Sequence, residues 1–104
     1  MVKIKIKLTG EQCGYVYKLI EDTDVKLIHP AITDLINDLM LEVVEKLHGR
    51  SFWVDKKNTI NLTPAQGRAF ILYFSYINLK HLPYEQNIIR QIVGTINKTL
   101  TDAK

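Results

Sequence analysis

The residues best placed to do chemistry are basic. Lys3, Lys5 and Lys7 recur at every second position, Lys56 and Lys57 are adjacent, and Trp53 stands just before them. Ammonium groups at a period of two share one side of an extended chain, where they would neutralise phosphates while an indole stacks on a base. The same pattern has a plainer use, because lysines alternating along an outer strand keep a sheet soluble and discourage edge pairing. An indole on an open sheet is also a natural anchor for a protein interface. One ring falls short of the two or three aromatics that single-strand platforms usually carry. A protein partner is therefore the leading expectation and nucleic acid the alternative.

The remaining reactive types form no constellation. Asp34, Asp38, Glu42 and Glu45 follow at spacings of four, four and three, an acidic stripe along one side of a helix. Carboxylates on a helix build metal sites when they face inward beside a histidine. This stripe lies opposite the apolar face, so it is expected to be solvated surface or a contact for a basic partner. His29, His48 and His81 are scattered, none at ligand spacing from another or from Cys13. Cys13 is the lone cysteine, expected to be buried and structural, and it fits a reducing cytoplasm. Gly10 and Gly14 lack phosphate-loop spacing, and neither Ser51 nor Ser75 has the neighbours of a nucleophile elbow. Tyr15, Tyr17, Tyr73, Tyr76 and Tyr84 read as core-edge residues. No catalytic, metal-binding or cofactor-binding residue is assigned, and neither a small-molecule substrate nor a membrane partner is expected.

The elements that must position these side chains follow from periodicity. Val2, Ile4, Ile6 and Leu8 alternate with Lys3, Lys5 and Lys7, the pattern of a half-buried strand over 2–8. Thr9 with Gln12 reads as a capping box opening a helix that runs to about Asp22. After Pro30, apolar residues from Ile32 to Leu47 recur at three- and four-residue spacing, and Gly49 is expected to end that helix. Ser51 to Val54 and 58–62 read as short strands joined by a turn. Thr63, Pro64 and Gln66 open a third helix, apolar on nearly every side, and a fourth follows Pro83.

The chain also resembles itself. Ile6, Leu8, Thr9 and Gln12 match Ile60, Leu62, Thr63 and Gln66 at an offset of 54, and the second helix of each half aligns at an offset of 53. A possible internal repeat therefore spans 2–49 and 58–101, its strands paired antiparallel about a pseudo-dyad.

These readings set the expected fold: one α+β domain over 1–104, with a three-stranded antiparallel sheet in the spatial order 51–54, 58–62, 2–8. Four helices cover one face, leaving Lys3, Lys5, Lys7, Trp53, Lys56, Lys57 and Asn61 as the candidate interaction surface. A hydrophobic share of 46% and a charged share of 24% are those of a globular domain. No apolar run reaches the roughly 18 to 20 residues of a membrane span, and the alternating start does not read as a signal peptide. The net charge of +3 permits a nucleic-acid partner without requiring one. The expected function is a non-enzymatic protein-interaction or assembly module, a homo-oligomer or part of a larger assembly, of the kind found among accessory proteins of phages and mobile elements. The alternative is a small nucleic-acid-binding protein using the basic sheet face.

Overall fold

The structure is a computed structural model that describes residues 3–22, 30–51 and 57–102. Its elements run β1 (Ile4–Thr9), α1 (Gly10–Glu21), α2 (Pro30–Ser51), β2 (Lys57–Leu62), α3 (Pro64–Ser75) and α4 (Pro83–Asp102). The strands pair antiparallel, with Ile4 opposite Leu62, Ile6 opposite Ile60 and Leu8 opposite Asn58. Alternation decides the faces: Ile4, Ile6, Leu8, Ile60 and Leu62 are buried, while Lys5, Lys7, Thr59 and Asn61 are exposed. Each buried aliphatic side chain contributes about 1.5–3 kcal/mol relative to exposure. The inward row joins Val16 and Cys13 of α1, Met40 and Val43 of α2, Phe70 of α3 and Ile96 of α4 in one core.

Each strand ends in the same way. Thr9 leaves the sheet in extended conformation, its hydroxyl accepts the Gln12 amide at 3.1 Å, and Gln12 Oε1 accepts the Thr9 amide at 2.9 Å. Thr63 and Gln66 repeat this box, with both bonds at 3.1 Å. The two caps have backbone angles within a few degrees of one another, φ −70 and ψ 161 at Thr9 against φ −73 and ψ 160 at Thr63. The offset of 54 also maps the ladder onto itself. Ile6 pairs with its own counterpart Ile60, and the pair Lys5–Asn61 becomes Thr59–Lys7. That register is the one a duplicated strand-helix-helix unit would give.

Among the described residues the sheet has two of the three expected strands. Ser51, placed in a strand by its neighbours' pattern, is instead the last residue of α2. Gly49 did not stop that helix: no glycine among the described residues has positive φ, so α2 runs through it without the left-handed turn of a glycine cap. Residues 52–54, the rest of that strand, lie outside the described residues. The expected strand 58–62 begins one residue earlier, at Lys57, and in it Asn58 faces inward and is only 7% exposed. The stripe on α2 is also shorter than its pattern. Ile36, Met40, Val43, Val44 and Leu47 are buried, but Ile32 and Leu35 near the start of the helix are 46% and 58% exposed.

Candidate interaction surface

The open face of the sheet carries most of the residues singled out by sequence. Lys3, Lys5 and Lys7 on the β1 side and Lys57, Thr59 and Asn61 on β2 are all exposed. Lys5 stands opposite Asn61 and Lys7 opposite Thr59. No carboxylate lies on this face among the described strand residues. Trp53 and Lys56 lie outside the described residues, so the aromatic part of the expected surface has no place in this geometry.

The strand edges differ from each other. Main-chain groups of an antiparallel strand point alternately toward the partner and away from it. The Thr9 amide donates to Gln12, and the Asn61 carbonyl accepts from Lys46 Nζ at 2.7 Å. These residues therefore face outward, and the ladder bonds belong to the pairs Ile4–Leu62, Ile6–Ile60 and Leu8–Asn58. Lys5 and Lys7 turn their N–H and C=O groups to the outer edge of β1, and Thr59 and Asn61 turn theirs to the outer edge of β2.

On β2 a polar network closes part of that edge. Lys46, reaching across from α2, also donates to Gln66 Oε1 at 2.8 Å, and Gln66 Nε2 donates to Glu42 Oε1 at 2.8 Å. Gln66 is only 5% exposed; its Oε1 accepts from both the cap amide and the lysine, and its Nε2 donates to the carboxylate. Sequence spacing announced Gln66 as a capping residue but gave no sign of its second role, because its partners stand 20 and 24 residues away. The acidic stripe is otherwise as expected: Asp34, Asp38, Glu42 and Glu45 are exposed, with Glu42 alone tied into this network.

The other reactive groups lie apart from this face. Cys13 is fully buried, and burial pushes its thiol up to about 11 against the lowering pull of Arg50 and a backbone hydrogen bond. His48 stacks edge-on against Tyr17 at 5.0 Å, and Tyr73 is buried with its hydroxyl donating to the Ile20 carbonyl at 3.1 Å. His81 is exposed, and His29 lies outside the described residues. Among the described residues no group of three or more His, Cys, Asp or Glu side chains could hold a metal ion, and no helix is long and apolar enough to cross a membrane.

Two further surface features sit on the helical side. Tyr15 and Tyr84 meet edge-to-face at 5.1 Å while remaining exposed. An open groove of about 380 Å³ runs between α3 and α4 beside Arg68, Ile71, Leu72 and Leu100. No protein-family model matches the chain, and no curated protein or solved structure is significantly similar to it.

Proposed function

We propose that the chain is a non-enzymatic protein-interaction or assembly module that works by surface contact with a second copy or another protein. The observation that carries this reading is the sheet: its outer face stands in water, and on the outer edge of β1 the main-chain groups of Lys5 and Lys7 are unused among the described residues, while the Thr9 amide is taken by its cap. Edges of this kind are what proteins use for strand addition. The exposed apolar residues Ile32, Leu35 and Leu41 of α2 add contact area of the type that partners bury.

Nucleic acid is the second reading, favoured by the carboxylate-free row of Lys3, Lys5, Lys7 and Lys57. The two readings predict different salt behaviour. Phosphate binding releases counterions, so affinity falls steeply with salt and drops uniformly as lysines are neutralised. Contact through main chain and apolar side chains loses much less. Light scattering across a concentration series, with a single-stranded oligonucleotide titration at low and high salt, tests them. Concentration-dependent mass and negligible oligonucleotide binding are expected. Monomeric mass with tight, steeply salt-dependent oligonucleotide binding would replace the first reading by the second.

A further inference from the structure

We propose that the outer edge of β1 takes up an extended, acidic segment of a partner protein as an additional strand. This rests on the protein-binding reading and names the place and the chemistry of the partner. The 54-residue correspondence makes the two edges a controlled comparison. On β2, Lys46 caps the Asn61 carbonyl and is itself held by Gln66, which Glu42 tethers. On β1 the counterpart of Asn61 is Lys7. The α4 residues that correspond to Glu42 and Lys46, at the offset of 53, are Thr95 and Thr99. Their hydroxyls turn back onto their own helix, Thr95 to the Gln91 carbonyl at 3.0 Å and Thr99 to the Thr95 carbonyl at 2.9 Å. So, among the described residues, the device that caps one edge is missing from the other. Each edge has a notch beside its helix, about 210 Å³ at β2 and about 260 Å³ at β1; Lys46 lines the first, while the second is lined by Lys5, Lys7, Gln91, Ile92 and Thr95 with no cation from α4.

The edge itself specifies the occupant. It alternates donors and acceptors, and another extended polypeptide answers both, whereas a phosphate backbone offers acceptors only. Side chains two residues apart on β1 are spaced about 7 Å along the strand. Lys3, Lys5 and Lys7 therefore stand opposite alternate residues of an incoming strand, on the solvent face, and carboxylates at those positions would be matched one to one. A second copy of β1 would instead set lysine against lysine, which is destabilising. The acidic residues of α2 are helical and cannot supply the strand.

The test uses the full chain and a synthetic peptide alternating Glu with Val and Thr. Three comparators accompany it: the same peptide with alternate amides N-methylated, one with Lys in place of Glu, and a single-stranded oligonucleotide of equal charge. Binding is read by fluorescence anisotropy and by amide hydrogen exchange. The acidic peptide should slow exchange at Lys5 and Lys7 about tenfold or more, roughly 1.4 kcal/mol. N-methylation, the lysine peptide and the variant Lys5→Glu/Lys7→Glu should each abolish that protection. Equal binding by the N-methylated peptide, or protection confined to α2, would overturn the edge assignment and leave the protein-binding reading standing. Binding of the oligonucleotide with none of the peptides would overturn both.

Discussion

Two helical glycines, Gly67 buried near the start of α3 and Gly94 exposed in the middle of α4, should respond in opposite directions to one added methyl. A Cβ on Gly67 would lie 2.5 Å from Ile4 Cδ1 and 3.0 Å from Ile96 Cγ2, so α3 approaches the sheet there because the side chain is missing. Overpacking of this kind costs about 1–3 kcal/mol, more than the roughly 1 kcal/mol of helix propensity gained. Gly94 has nothing within 4 Å. Gly94→Ala should raise the urea midpoint by an equivalent of about 0.5–1 kcal/mol, and Gly67→Ala should lower it. A raised midpoint for Gly67→Ala would mean that the Ile4 methyl moves aside freely. Cys13, the counterpart of Gly67 in the first half, makes a second prediction. Its folded pKa of about 11 exceeds the ordinary value of 9.0. Above pH 9 the unfolded chain loses a proton that the folded chain keeps, so stability contributed by the neutral thiol is complete below 9 and falls progressively toward 11. Compared with Cys13→Ala, the native chain should show the steeper loss of stability in that window, and its thiol should react with Ellman's reagent only as fast as the protein opens.

At the scale of elements, what was legible in the sequence was whatever depends on near neighbours. Period-two alternation placed β1, and two capping boxes, each four residues long, placed the starts of α1 and α3. What failed was decided by distant contact or by the lack of it. Gly49 looks like a helix stop, yet α2 continues through it to Ser51 with the glycine simply exposed in the last turns. Ile32 and Leu35 continue the apolar pattern of α2 but are left exposed near its start, which no local pattern could reveal. The basic surface was legible for Lys3, Lys5, Lys7 and Asn61, since alternation alone turns them outward, whereas Lys57 was expected at a turn and is exposed at the start of β2 instead. Gln66 shows the difference in energetic terms. Thr9→Ala and Thr63→Ala should each cost about 1 kcal/mol, the usual value of a lost cap. Gln12→Ala removes one cap bond, while Gln66→Ala also removes the bonds to Lys46 and Glu42. Hydrogen bonds to charged groups contribute about 1.5–3 kcal/mol when sheltered, and less here because Glu42 is exposed. Gln66→Ala should therefore be more destabilising than Gln12→Ala by about 1 kcal/mol in chemical denaturation. Equal losses would show that the network adds nothing beyond the cap.

Across the whole molecule the two halves are not laid side by side but interlocked. The only strand pairing among the described residues joins β1 to β2, across the halves. Tyr73 of α3 donates to the Ile20 carbonyl at the end of α1, and Lys46 of α2 is bonded to β2 and α3. Ile4 of the first half sits against Gly67 and near Ile96 of the second. Neither half can therefore bury its strand without the other, because a lone strand would expose both its ladder groups and its apolar row. Independent unfolding of the halves would have to break the ladder, the Tyr73 bond and the shared core together, which is the cost of global unfolding. Melting should accordingly be a single transition, with a calorimetric enthalpy equal to the van't Hoff value. Ile6→Ala and Ile60→Ala, at the central pair of the ladder where each residue faces its counterpart at the offset of 54, should each remove about 2–5 kcal/mol and shift that one transition without splitting it. Two resolved transitions, or a shift confined to the half carrying the substitution, would show that the symmetric register joins two separable units.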